Sequence, residues 1–118
     1  MEEMQPVTIV LIDDQAIVRA AFKSLLTSVG QFRVVGDAGD ARQGVDLVTE
    51  LRPHVAILDI TMAGMSGLDA VAPIKRASPD TKVLMASQHE GMKFVQQALQ
   101  AGADGYLSKD SEPEELSL

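Results

Sequence analysis

Five polar residues of this chain end or directly follow short apolar segments, and their types suit chemistry on a charged oxygen group. Asp13 and Asp14 follow "VTIVLI", and Asp59 comes near the end of the apolar run "HVAILDI". Ser87 ends "KVLMAS", and Lys109 follows "DGYLS". An ionised carboxylate in an apolar segment is disfavoured unless something compensates its charge. A purely structural role is therefore hardest to defend for Asp59.

Gathering three carboxylates at one place would push one of them towards protonation unless a cation sat among them. The candidate ligands are all oxygens, with no histidine or cysteine to favour zinc, so Mg²⁺ or Mn²⁺ is the expected ion. Lys109 would add a further positive charge. Mg²⁺ is commonly held by a few carboxylates together with a phosphate oxygen. The residue types therefore indicate chemistry on a phosphoryl group.

The elements that must position these residues alternate along the chain. Apolar segments of strand length cover residues 7–12, 32–38, 55–60 and 82–87, with a shorter fifth segment at 104–109. Segments with helical spacing of apolar residues cover 15–29, 41–51, 67–77 and 91–101. Continuous apolar strands indicate burial on both faces, and regular alternation with helices indicates βαβ units. We therefore expect an α/β fold with a parallel sheet between helices.

Helix boundaries carry recognisable signals. Gly30 and Gly102 follow two of the helical segments as expected stops. Asp40 stands three residues before Gln43, and Ser66 stands three before Asp69, which is capping-box spacing. In open α/β sheets, ligands bind beyond the carboxyl ends of the strands. All five polar residues are predicted to lie at that edge.

The last residues, "SEPEELSL", have the signals of a helix start, but only about two turns fit before residue 118. Since so short a helix is marginal alone, we expect the last helix to be truncated and more protein to follow.

The amino-acid composition argues against several classes of function. With 118 residues the chain is expected to form one domain, and its formal net charge of -7 argues against direct binding to nucleic acid or anionic membranes. It has no cysteine, no apolar stretch near the length of a membrane helix and no signal-peptide pattern. A cytoplasmic protein is expected.

Together, "DD" at 13–14, "LDITMAGMSG" at 58–67, "MAS" ending at 87 and "GADGYLSKD" at 102–110 resemble the receiver domain of two-component response regulators. The resemblance covers residues 1–118 and implies a flavodoxin-like (CheY-like) doubly wound five-stranded parallel sheet of order 2-1-3-4-5. Asp110, where many receivers have proline, is similar to the NarL/LuxR type. That type carries a C-terminal helix-turn-helix DNA-binding domain, which we expect to be absent from residues 1–118.

The resemblance also implies residue roles. Asp59 would accept the phosphoryl group, and Asp13, Asp14, Asp59 and the backbone carbonyl of Thr61 would hold Mg²⁺, with Mn²⁺ as a possible substitute. The implied protein is a phosphorylation-dependent signalling switch that promotes only its own phosphorylation and dephosphorylation, and so is not an enzyme acting on other substrates.

Lys109 would pair with the phosphoryl oxygens, Ser87 would hydrogen-bond one of them, and Tyr106 is similar to the switch aromatic of receivers. These residues would change the surface of the fourth helix and fifth strand to control an output such as transcription. Implied partners are a sensor histidine kinase and a second copy of the chain on phosphorylation. DNA would be contacted only through the missing C-terminal domain, and no membrane partner is implied.

Three other readings stay open. A metal-dependent aspartyl phosphatase would usually have a second aspartate two residues after the nucleophile, where this chain has Thr61. A nucleotide or flavin binder would need a glycine-rich phosphate loop after the first strand, where "IDDQAIVR" stands instead. A pseudo-receiver acting only as a binding module would lack an acid, the acceptor or the lysine, and here all are present.

Overall fold

The computed structural model describes residues 5–60, 62, 66–87 and 92–108, with the backbone alone for residues 87, 92–95 and 108. Strands and helices alternate along the described chain. In chain order they are β1 (Val7–Ile12), α1 (Ala16–Val29), β2 (Phe32–Ala38), α2 (Ala41–Leu51), β3 (Val55–Asp59), α3 (Gly67–Ala77), β4 (Lys82–Ser87), α4 (Met92–Gln100) and β5 (Gly105–Ser108).

All five strands join one parallel sheet in the order β2-β1-β3-β4-β5. This confirms the predicted fold class, and each predicted element agrees with the observed one to within one residue at either end. The order reverses between β1 and β3, so their carboxyl ends flank the crevice in which ligands bind in folds of this type.

Both faces of the sheet are buried by helices, which explains why the strands are apolar without alternation. Ile9 and Leu11 of β1 pack on the α1 side with Leu26, whereas Val10 and Ile12 pack on the opposite side. That second cluster contains residues of α2, α3 and α4: Ala41, Val48, Ala70, Val71, Ile74 and Ala98.

Two predicted helix boundaries are confirmed by their hydrogen bonds and backbone angles. The Asp40 carboxylate accepts the backbone N–H of Gln43 at 2.8 Å, and Gly30 ends α1 in the left-handed conformation with φ 85°. Ser66 caps α3 in a different way from the expected box. Its hydroxyl accepts the N–H of Leu68 at 3.2 Å, while the N–H of Asp69 donates to the Ser66 carbonyl.

Helix length and hydropathy bear on membrane insertion. Within the ranges described above, no helix is both long and apolar enough to cross a bilayer.

Candidate functional site

Strand register brings the predicted site residues to one edge of the sheet. Ile12 pairs with Leu58 across β1 and β3, so the positions that follow them, Asp13 and Asp59, are neighbours. Asp59 pairs in turn with Ala86, the residue before Ser87. Because the strands are parallel, their carboxyl ends meet, as the sequence predicted.

Three carboxylates meet at this edge. Asp13, Asp14 and Asp59 each offer a carboxylate oxygen, and these oxygens all lie within 4.8 Å of one another. Asp13 and Asp59 are each 6% exposed, whereas Asp14 is exposed to solvent. Two of the three carboxylates are therefore largely shielded from water. Repulsion between carboxylates is stronger at such buried positions than in water.

Both the backbone and the side chain of Asp13 make hydrogen bonds that fix its position. Its N–H donates to the carbonyl of Ala38 at 3.1 Å, which extends the β1–β2 pairing by one residue. Its Oδ1 accepts the N–H of Gln15 at 2.9 Å, at the start of α1. The turn between β1 and α1 thus fixes the direction in which this carboxylate points.

The backbone after Asp59 is closed against the start of α3. The Ile60 carbonyl accepts the N–H of Gly67 at 3.0 Å and the hydroxyl of Ser66 at 3.1 Å. Gly67 lies so close that a Cβ there would collide with the Asp59 carbonyl. Ile60 is therefore held against Ser66 and Gly67, while Thr61 itself lies outside the described residues.

The remaining predicted site residues lie on β4 and β5 or just beyond. The Ser87 backbone ends β4 and pairs with Ser108, the last residue of β5. Tyr106 is half-buried on β5, pairs with Met85 and packs against the core cluster on the α2–α4 side. Lys109 follows Ser108 in sequence and lies outside the described residues. The register thus places Asp59, Ala86 and Leu107 in one row, with Ser87 and Ser108 one residue further towards the carboxyl edge.

Charged residues that the sequence analysis did not select lie behind the acids. Arg19 of α1 donates from Nε to Asp37 Oδ2 at 2.8 Å and from its terminal nitrogen to the Asp13 carbonyl at 2.7 Å. Lys23 lies 2.9 Å from the other oxygen of Asp37. Asp37 stands one residue before the end of β2, so the strand-end rule applied to that strand would have selected it.

The pKa of Asp37 reflects these contacts. The hydrogen bond from Lys23 is the largest cause, partial burial opposes it, and the hydrogen bond from Arg19 adds to it, so the pKa is lowered from its usual 3.8. A carboxyl whose pKa is lower when folded stabilises the fold above its unfolded pKa. This contribution is lost as the pH falls through the folded-state value.

Asp37→Asn is accordingly expected to reduce the free energy of unfolding at pH 7 by about 1 kcal/mol. The difference from wild type should shrink as the pH falls below 4 and vanish once the wild-type carboxyl is protonated. Urea unfolding at several pH values measures this, with Asp46→Asn on the exposed side of α2 as the control. A difference that does not change with pH would contradict the ion pairing as its cause.

The chemistry of the donor set fits a hard divalent cation. Three carboxylates within 4.8 Å supply only oxygen ligands, which suit Mg²⁺ or Mn²⁺ rather than zinc. A cation there would also offset the repulsion between the two buried charges. The described residues are thus compatible with the ion that the sequence predicted.

Comparison with protein families gives one match that spans most of the chain. The profile of the response regulator receiver domain matches residues 9–118. The nitrate/nitrite response regulator NarL of Escherichia coli strain K12 is 38% identical over 116 residues, covering 98% of this chain and 54% of that protein. The chain therefore spans about half the length of the curated relatives it matches.

Solved structures give the same fold. The signal receiver domain of the putative response regulator NarL from Mycobacterium tuberculosis has a TM-score of 0.89 and 36% identity, covering 96% of this chain and 91% of that chain. A LuxR-family two-component response regulator from Aurantimonas sp. SI85-9A1 has a TM-score of 0.89 and 33% identity, covering 96% and 81%.

Proposed function

Because this chain belongs to the response regulator receiver domain family, with relatives of the NarL/LuxR type, we propose that it is a signalling switch that accepts a phosphoryl group on Asp59. The observation that carries this proposal is the meeting of three carboxylate oxygens within 4.8 Å, one of them from the last residue of β3. Repulsion within such a cluster destabilises the fold unless a cation is bound. A role in binding a metal ion and a phosphoryl group would explain why the three carboxylates lie together.

In this proposal Asp13, Asp14, Asp59 and the Thr61 carbonyl hold Mg²⁺, for which Mn²⁺ can substitute. The bound ion would neutralise charge that develops on the phosphoryl oxygens. Gln15 and the β1–α1 turn keep the Asp13 carboxylate directed at the site. Ile60, which precedes Thr61 in sequence, is held by its contacts with Ser66 and Gly67.

Asp59 is the nucleophile. One of its carboxylate oxygens forms a bond to phosphorus while the bond from phosphorus to the donor atom breaks, and the donor atom leaves with that electron pair. The product is an acyl phosphate on residue 59. Positioning and charge stabilisation dominate such transfers. Lys109 is proposed to pair with the phosphoryl oxygens, and Ser87 to hydrogen-bond one of them.

The output is proposed to follow from the same contacts. Ser87 moves towards the phosphoryl group, Tyr106 occupies the space it leaves, and the surface of α4 and β5 changes. Phosphorylation can shift this equilibrium only by as much as it favours one state. The donor is a sensor histidine kinase, the phosphorylated form is able to pair with a second copy, and a C-terminal domain contacts DNA to regulate transcription. A cytoplasmic location belongs to the same proposal.

Incubation with acetyl phosphate tests the proposal without a kinase. In the presence of Mg²⁺ the intact mass of the chain should rise by one phosphoryl group. A chelator should prevent the rise, and excess Mg²⁺ should restore it. An unchanged mass at every Mg²⁺ concentration, or labelling that does not depend on the metal, would contradict the proposal. Steady hydrolysis of a small phosphoester over many turnovers would instead favour a phosphatase.

A further inference from the structure

The side chain of Arg19 links the carboxyl ends of β1 and β2. Its terminal nitrogen donates to the Asp13 carbonyl at 2.7 Å, and its Nε donates to Asp37 at 2.8 Å. Its side chain is 20% exposed. Together with Asp13 and Asp59, it lines a small cavity beneath the carboxylate cluster. The guanidinium therefore lies directly behind two of the proposed metal ligands.

An irregularity in β2 places Asp37 where Arg19 can reach it. Ile9 pairs with Val34, but Val10 pairs with Gly36, so Val35 is an additional residue in β2. Since side chains alternate between the faces of a strand, an inserted residue moves all later side chains to the opposite face. Val34 packs on the α1 side, so regular alternation through residues 34–37 would point Asp37 away from α1.

Lys23 provides a comparison within the same cluster. It pairs with Asp37 as Arg19 does, at 2.9 Å against 2.8 Å, but it is 45% exposed, and among the described residues it forms an ion pair with Asp37 alone. Arg19 differs in having a fork of donors that can bind a carboxylate and a carbonyl at the same time. The contact with the Asp13 carbonyl therefore distinguishes Arg19 from Lys23.

We propose that Arg19 is a positioning residue for the metal-binding carboxylates, with Asp37 holding its guanidinium against the Asp13 carbonyl. The inference rests on the proposed function, because it needs Asp13 and Asp14 to bind a divalent ion. The carbonyl contact fixes the backbone from which both carboxylates project. Groups that orient metal ligands in this way typically change metal affinity by about 10-fold to 100-fold when removed.

The direction of the change in metal affinity distinguishes a positioning role of Arg19 from an effect of its charge. Removing a positive charge beside a cation site should by Coulomb's law strengthen cation binding. Losing the carbonyl contact should weaken it. Arg19→Met removes the charge and the contact with the Asp13 carbonyl, whereas Lys23→Met removes a charge and an ion pair with the same Asp37 but no contact with Asp13. Weaker binding in the first variant alone therefore cannot arise from charge.

Titration with Mn²⁺, followed by the EPR signal of the free ion, measures this directly. Arg19→Met should raise the dissociation constant by about 10-fold, while Lys23→Met should stay within about 2-fold of wild type or bind more tightly. Arg19→Lys keeps the charge, but its one nitrogen replaces the guanidinium fork, so it should also bind more weakly. Circular dichroism of each metal-free variant checks folding, and Arg19→Lys decides if Arg19→Met does not fold.

Wild-type affinity in the folded Arg19 variants, or equal weakening in Lys23→Met, would overturn the inference and leave the proposed function intact. A wild-type protein that does not bind Mn²⁺ would instead contradict the proposed metal site itself. The two failures are therefore distinguishable in one series of titrations.

Discussion

Asp59→Asn is expected to abolish phosphoryl transfer from acetyl phosphate while leaving the fold intact. Asparagine has nearly the same shape, but its amide lacks the anionic oxygen that must attack phosphorus. The same change removes one of three clustered charges, two of which are buried. In the absence of divalent metal, the free energy of unfolding should therefore rise, by about 1 kcal/mol or more.

Intact mass after incubation with donor and Mg²⁺, together with urea unfolding in a chelator, measures both effects. Asp80→Asn is the matched control, since Asp80 is exposed and precedes β4 at the opposite edge of the sheet. It should be phosphorylated like wild type and show no gain in stability. A folded Asp59→Asn variant that still gains a phosphoryl group would show that another residue is the acceptor.

Gly67→Ala is the second change with a large expected effect. The new Cβ would collide with the backbone carbonyl of Asp59, and backbone atoms cannot move aside as a flexible side chain can. Either the first turn of α3 shifts away or the acceptor does. We expect a loss of about 1–3 kcal/mol in the free energy of unfolding. We also expect phosphorylation to slow by up to about 10²-fold, because small displacements of reacting groups are costly.

Gly105→Ala serves as its control. Gly105 lies at the amino end of β5, away from the acids. A Cβ there would lie 2.7 Å from Leu84 Cδ2, the end of a half-buried side chain. Urea unfolding and the rate of phosphorylation are measured for both variants. The control should lose some stability and keep its phosphorylation rate. Equal rates in both variants would mean that Gly67 matters for packing alone.

Most of the fold could be predicted because local signals and burial agree. Apolar segments of strand length alternate with amphipathic helices, and residues such as Asp40 and Gly30 mark where helices begin and end. The carboxyl-end rule then located Asp13, Asp14 and Asp59 at one edge without a structure. Strand order came from the family resemblance, since short connections alone permit several orders.

Other features depend on three-dimensional contacts that the sequence pattern does not encode. The additional residue Val35 in β2 changes which face Asp37 occupies, and no composition signal marks it. Arg19 was missed because an arginine in the second turn of a helix is usually solvated, and only tertiary structure brings it to the Asp13 carbonyl. Pro73 lies inside α3 without ending it, against the general rule.

The proposed function depends above all on the carboxylate of residue 59 forming the bond to phosphorus. Borohydride reduction after treatment with acetyl phosphate and Mg²⁺ converts an acyl phosphate on aspartate to a primary alcohol, which peptide mass spectrometry can assign to one residue. We expect homoserine at position 59, and only in the sample that received both donor and metal. An unmodified Asp59 with the alcohol or the phosphoryl group at another residue would contradict it.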